Sequence, residues 1–304
     1  MIVGSRGSPL ALRQTEIVLG KLQSLGIEAE VRTVKTSGDV FLDKPLHMIS
    51  GWGVFVAEID DRMISGEIDL AVHSMKDIPT KRPPELDISA VLKRDSPYDV
   101  LVSRDGSELD DLAGGAVIGT SSMRRSAQLR RARPDLEIKP LRGNLQTRLR
   151  KLGQGDFDAI VLAKAGLERM GLDIECSVLD PEKFVPSANQ GTIVVVAKRG
   201  TRAESVAMMI DDPATRMETM IERRILEAVG GGCIVPMAVH ASVEGRKARV
   251  VAEVLSLDGK RFVRLDETVY AEGSEEQSLE LGRRLIEMGG RELVDEAVKA
   301  FGAR

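Results

Sequence analysis

Apolar residues recur along this chain with two periods, and the switches between them outline its elements. Residues 2–5 form a short apolar run, Arg6 and Gly7 turn the chain, and Ser8-Pro9 reads as an N-cap and first helical position. Leu10, Ile17, Val18, Leu22 and Leu25 give the following helix one apolar face, and Gly26 stops it. A strand is expected over 31–35, a long loop over 36–53, a helix over 54–65 closed by Gly66, and a strand over 69–73 opening into Ser74-Met75-Lys76-Asp77. Residues 91–103 read as extended, broken at 93–97.

The pattern then repeats. A strand over 116–119, a helix over 123–132 capped by Ser121 or Ser122 and closed by Pro134, and a strand over 136–141 follow in order. Asn144 caps a helix that runs to Gly153, and a further strand is expected over 158–163. A second extended passage, 184–198, contains Pro186 and the polar turn 187–191. Two such crossings around one β-α-β-α-β stretch imply a domain inserted in another. Domain 1 is expected over 1–92 and 192–210, and domain 2 over 98–186, with hinges near 93–97 and 187–191. From 214 a helix, strands around an Asp258-Gly259 hairpin turn and a helix over 275–288 imply a small α+β third domain over 214–304.

Composition narrows the classes. A chain of 304 residues with 42% hydrophobic and 30% charged residues is that of a soluble globular protein, without an apolar run long enough to span a membrane. Two cysteines, and an opening MIVGSRGSPLA without a basic then apolar leader, point to a cytoplasmic protein without a disulfide framework. Charge is the more informative property. Residues 117–152 hold ten Lys and Arg against Asp135 and Glu137, a local +8 in a chain of formal charge −4. An aromatic content of 3% is too low for base stacking, so nucleic acid is a poor partner.

Arg124 and Arg125 fall in the first turn of a helix, where a cation opposes the macrodipole by about 0.3–1 kcal/mol. Arg142 stands at a strand-to-helix junction and Arg148 one turn inside the next helix. Open α/β sheets bind ligands beyond the carboxyl ends of their strands, so these four arginines are expected to face a polyanion. For Arg130, Arg131, Arg133, Arg150 and Lys151 a solvated basic face is the expectation. Lys76 and Asp77 also follow a strand end. Asp77 reads as a general acid–base or, slightly favoured by spacing alone, as a salt-bridged loop carboxylate. Cys233 follows three glycines at a loop tip, while Cys176 reads as inert. There is no His/Cys/Asp cluster at ligand spacing, so no metal is expected, and nucleotide-binding glycine motifs are absent.

Six stretches, in order, are GSRGSPLALRQT, AVHSMKDIPT, IGTSSMRRSAQL, LRGNLQTRL, DAIVLAKAGLERMG and GGGCIVP. Together they resemble the porphobilinogen deaminase (hydroxymethylbilane synthase) family from Gly4 to Pro236. The resemblance implies two periplasmic-binding-protein-like (type II) α/β domains around a cleft, plus a small α+β C-terminal domain. It implies a dipyrromethane cofactor held by a thioether to Cys233. Porphobilinogen units, the small-molecule substrate, are added to that primer with loss of ammonia, and linear hydroxymethylbilane is released by hydrolysis. Asp77 corresponds to the catalytic aspartate, which stabilises the cation left by ammonia loss. Ser74, Lys76, Thr120, Ser122, Arg124, Arg125 and Arg142 correspond to cofactor contacts. Arg6, Arg142, Arg148, Arg169 and Gln190 correspond to substrate contacts. A monomer is implied. The chain departs from the family at Trp52 and Ala57, where lysines are frequent, and at Asn189, where glycine is common. A non-catalytic solute-binding or sensory module for a polycarboxylate would need the arginines but neither Asp77 nor Cys233.

Overall fold

The computed structural model describes residues 1–35, 56–80 and 82–302, and Cys233 through its backbone alone. The expected loop over 36–53, with His47 and Trp52, and the first residues of the helix expected from 54, lie outside the described residues.

The chain opens with β1 (Ile2–Arg6), α1 (Pro9–Ser24), β2 (Glu30–Val34), α2 (Ala57–Ile64), β3 (Leu70–Ser74), a 3-10 turn over Met75–Asp77, and β4 (Leu86–Val91). Next come β5 (Asp99–Ser103), β6 (Val117–Gly119), α3 (Met123–Ala132), β7 (Glu137–Lys139), α4 (Leu145–Gly153), β8 (Ala159–Ala163), α5 (Lys164–Arg169) and β9 (Ser177–Val178). They are followed by β10 (Ile193–Lys198), α6 (Arg202–Met208) and α7 (Pro213–Val229). The chain ends with β11 (Met237–Glu244), β12 (Lys247–Leu255), β13 (Phe262–Tyr270), α8 (Ser274–Leu285) and α9 (Arg291–Gly302).

Two of the sheets share one plan. In β2-β1-β3-β10-β4 and β7-β6-β8-β5-β9 the three strands at one end are parallel. In each, a fourth strand, β10 or β5, arrives from a distant part of the chain and pairs antiparallel on both sides. That strand is buried on both faces, which is why β10 reads IVVVA without alternation. In the first sheet Val3, Val72 and Val195 pack on α1 and α6, while Ala71, Val194 and Val196 pack on α2. The second sheet is likewise covered on both faces, by clusters around Leu129 and around Leu152. The third sheet, β11-β12-β13, is antiparallel and packs Ala248, Val250, Ala252 and Val254 on α7, α8 and α9.

Local signals set the helix starts. Ser8 accepts the amide hydrogen bond of Ala11, Ser122 that of Arg125, and Asn144 that of Thr147. Two expectations move. The strand before the first crossing is β4, whose alternation LDISAV begins five residues earlier than the extended run expected from 91. The helix expected over 275–288 stops at Leu285, because Gly289 takes φ 109° in a π-turn over Ile286–Gly290 before α9 resumes. Asn189 has φ 63°, the left-handed region, and is the non-glycine residue found there among the described residues. Asparagine, like glycine, tolerates this backbone region.

Two compact units divide the chain. One comprises Met1–Asp95, Arg169–Gly171 and Gln190–Arg216, the other Ser96–Glu168, Leu172–Asn189 and Met217–Arg304.

Candidate functional site

In the first unit the carboxyl ends of β1 and β3 lie side by side and open into polar turns. Arg6 ends β1, and Ser8 caps the helix that follows. Ser74 ends β3, and its hydroxyl accepts a 2.7 Å hydrogen bond from Gln14 of α1. The 3-10 turn beyond is pinned by buried Met75, whose amide donates to Thr192 O at 3.0 Å. Lys76 and Asp77 are therefore held on a fixed turn but exposed. A cavity of about 70 Å³ is lined by Arg6, Ser8, Gln14, His73, Ser74 and Asp77. His73 is buried, and its pKa is lowered to about 3, first by burial and then by the charges of Arg82 and Arg6. It therefore stays a neutral imidazole, and cationic charge in this pocket comes from arginine.

In the second unit Thr120, Ser121 and Ser122 follow β6, and Arg124 and Arg125 begin α3. Both arginines are buried and share Asp99, which is 1% exposed. Arg124 Nη1 lies 2.7 Å from Asp99 Oδ2, and Arg125 Nη2 lies 2.7 Å from Asp99 Oδ1. Burial alone would raise the pKa of Asp99, but the two guanidiniums outweigh it and hold the carboxyl well below the usual range. Two buried cations on one anion leave a surplus positive charge. Arg148 registers it: its pKa is lowered to about 10 by burial, then by repulsion from Arg125 and Arg142. Its own Nε donates to Gly143 O at 2.9 Å, closing the turn between Arg142 and α4. Gly143 has φ 109°, and a Cβ there would meet Thr147 Cγ2 at 2.6 Å, so only glycine fits. Arg125, Arg142 and Arg148 thus form a partly buried patch in which cations repel each other.

The structure thus brings Arg125, Arg142 and Arg148 together, and Arg6, Ser74 and Asp77 together. It gives Arg124 partners within the protein: Asp99, Gln128 and the Val185 carbonyl. Arg169 is buried and donates to Asp95 Oδ2 at 2.7 Å and to Gly191 O at 2.6 Å. Gln190 is 1% exposed, and its carbonyl accepts from Arg94 Nε at 2.9 Å. Cys233 sits in a 3-10 turn, Gly232–Ile234, after three consecutive left-handed glycines with φ of 76°, 80° and 65°. A Cβ at Gly231 would lie 2.3 Å from Val235 Cγ2, so this turn cannot be built from larger residues.

Part of the expected solvated basic face is engaged with the protein, although Arg130 itself is exposed. Arg130 donates to Leu257 O, Arg131 pairs with buried Glu253, and Arg133 donates to the carbonyls of Leu109, Asp110 and Leu112. Their partners lie far off in sequence, which helical spacing does not reveal. Arg150 is exposed, as a solvated face requires. The sequence reading also passed over Asp99, Gln128 and Glu253. A lone acid within the apolar run VVAEVL of β12 was the available signal for Glu253.

Residues 1–205 match the family model described as porphobilinogen deaminase, dipyromethane cofactor binding domain, and residues 217–288 match its C-terminal domain. A probable porphobilinogen deaminase of Methanococcoides burtonii is 54% identical over 300 residues, covering 98% of this chain and 97% of that one. The chain belongs to the porphobilinogen deaminase family. The porphobilinogen deaminase of Bacillus cereus is 44% identical, with 98% of each chain covered. Among solved structures, a substrate-binding domain of a putative amino acid ABC transporter from Streptococcus pneumoniae aligns at 13% identity. It has a TM-score of 0.44 and covers 75% of this chain and 93% of that one. The fold is mixed α/β, with two five-stranded sheets of one plan and a three-stranded antiparallel sheet. Residues 1–205 are a dipyrromethane cofactor-binding segment by the same family match.

Proposed function

We propose that this chain is a hydroxymethylbilane synthase. It condenses porphobilinogen units head to tail with loss of ammonia on a covalent dipyrromethane primer, then releases linear hydroxymethylbilane by hydrolysis for tetrapyrrole biosynthesis. The observation that carries the reading is the family match across both parts of the chain. We assign the domains as 1–92 with 192–210, 98–186, and 214–304, with hinges near 93–97 and 187–191, supported by three separate sheets.

The chemistry of the donor set fits a primer that carries acetate and propionate groups. Arg125, Arg142 and Arg148 form a cationic patch whose mutual repulsion a polycarboxylate relieves. Thr120, Ser122, Ser74 and Lys76 add hydrogen bonds and charge, and Arg124 acts on the same groups. Cys233 holds the primer; when bound, it supplies the nucleophilic pyrrole carbon to which substrate is joined. Arg6, Arg142 and Arg148 bind and orient porphobilinogen, while the buried Arg169 and Gln190 act through their neighbours Asp95, Gly191 and Arg94. The Asp77 carboxylate accepts hydrogen bonds from pyrrole N–H groups and stabilises the positive charge that develops on the substrate as ammonia leaves. Neutral His73 avoids adding a second cation beside that developing charge. We place the enzyme in the cytoplasm as a monomer, consistent with two cysteines in 304 residues; light scattering on purified protein tests the monomer.

The decisive experiment is the intact mass of the protein after exposure to porphobilinogen, with and without Cys233→Ser. A mass excess of one dipyrromethane on the wild type and none on the variant is expected. Asp77→Asn should carry the same excess yet lose about 10²-fold or more in turnover. A wild type that stays bare and makes no product sinks the reading in favour of a solute-binding module.

A further inference from the structure

We infer that Gln128 and Glu253 are positioning residues through which the third sheet sets the arginine patch. The inference rests on the proposed function for its substrate and goes beyond it in assigning these two side chains.

Both are fully buried. Glu253 lies on β12, on the face turned away from the helices of the third domain, and α3 of the second sheet covers it there. Its Oε2 accepts from Arg131 Nη1 at 2.9 Å, and its Oε1 accepts from Gln128 Nε2 at 2.8 Å. Gln128 Nε2 also donates to Val185 O at 2.9 Å. With two acceptors facing its nitrogen, the amide has one satisfactory orientation, and its Oε1 must turn to Arg124, which donates to it at 2.9 Å. Arg124 is thereby aimed at Asp99 Oδ2. The other oxygen, Asp99 Oδ1, holds Arg125 Nε at 3.2 Å and Nη2 at 2.7 Å, while Arg125 Nη1 donates to Val161 O. Arg125 in turn presses its charge on Arg148.

The chain Glu253–Gln128–Arg124–Asp99–Arg125 is therefore continuous and buried, and each member's orientation is set by the one before it. Without the Glu253 carboxylate, the Gln128 amide loses one of its two acceptors and is held by Val185 O alone, so it can rotate away from the Arg124 guanidinium. An inverted amide would turn its NH₂ toward the Arg124 cation, which repels it. Arg124 then withdraws from Asp99, the carboxylate turns, and Arg125 shifts relative to Arg142 and Arg148. The spacing of guanidiniums that must match substrate carboxylates changes, while Asp77 in the other unit is untouched. Ground-state binding should suffer more than the chemical step.

The test compares the steady-state kinetics of the holoenzyme on porphobilinogen with those of Gln128→Leu, Glu253→Gln and the control Leu285→Ala, which opens a cavity in the third domain's core. Gln128→Leu should raise KM about tenfold with kcat within about twofold. Glu253→Gln, whose amide oxygen still accepts a hydrogen bond, should raise KM about threefold. Leu285→Ala should lower Tm and leave KM alone. Unchanged KM in Gln128→Leu and Glu253→Gln overturns the inference, and so does a KM rise shared equally by Leu285→Ala. If Gln128→Leu fails to fold, Glu253→Gln decides alone. A wild type inactive on porphobilinogen is a different result, since it removes the proposed function itself.

Discussion

His73 shows how much a single buried position decides. It lies on β3 among apolar neighbours, and among the described residues no hydrogen-bond partner meets its Nε2. Its folded pKa of about 3 lies below the roughly 6.5 of an unfolded histidine, so between those values the unfolded chain binds the extra proton. Stability is then fully present above about pH 6.5 and falls as pH drops toward 3, by at most about 1.4 kcal/mol per unit from this group. Urea unfolding at about pH 6 and about pH 5 should show that loss in the wild type, and His73→Leu should lose most of it. An equal slope in both would mean that the imidazole is protonated in the folded protein. Backbone constraint acts at the same scale. Asn189 holds φ 63° while its amide donates to the buried Glu222 carboxylate at 2.5 Å. Asn189→Gly should leave Tm nearly unchanged, whereas Asn189→Val should cost about 2 kcal/mol or more, because a β-branched residue resists the left-handed region.

At the scale of elements, α3 has two jobs. Its first turn carries Arg124 and Arg125, and its last turns dock on the hairpin between β12 and β13. Arg130 donates to Leu257 O at 2.7 Å, and Arg131 stacks over the Phe262 ring at 4.8 Å. Gly259 at the hairpin tip comes so close that a Cβ would lie 2.3 Å from Ala127 O and 2.9 Å from Arg131 N. Gly259→Ala forces either the tip or the helix to move and also strains φ 75°, so a loss of about 2–4 kcal/mol in unfolding free energy is expected. A loss below about 0.5 kcal/mol would mean that the hairpin yields freely. This docking was out of reach from the sequence. The helix, its Ser122 cap and its arginines were legible because capping and periodicity act within a few residues. So was the Asp258-Gly259 turn. What α3 packs on depends on residues about 120 positions away, and an arginine facing a carbonyl leaves the same sequence trace as one facing water. The same holds for Arg124: its helix position was readable, its partner Asp99 was not.

Across the whole molecule, the repeated sheet plan and the buried acid chain make a prediction about cooperativity. The second and third sheets have separate hydrophobic cores, one around Leu101, Ile118 and Val161 and one around Ile225, Val250 and Leu285. Separate cores alone would allow the third sheet to open first. The carboxylate of Glu253, on β12, is instead neutralised by Arg131 of α3, a helix covering the second sheet. Opening either sheet breaks this pair and leaves Glu253 with the more distant Arg264 of β13, 3.7 Å away; breaking a buried pair costs about 3–5 kcal/mol. Native-state hydrogen exchange under rising urea should therefore find the amides of Ile160 and Leu162 in β8 converging with those of Val250 and Ala252 in β12 on one opening free energy. The first sheet shares no member of this chain, so β3 and β10 are free to follow a different curve. In Arg131→Leu, which removes the cation of that pair, the β12 isotherm should part from that of β8, whereas Gln128→Leu, which keeps the pair, should leave them together. If wild-type β12 already opens several kcal/mol more cheaply than β8, the ion pair does not bind the two sheets into one unit, and the third domain works as an independent carrier of Cys233.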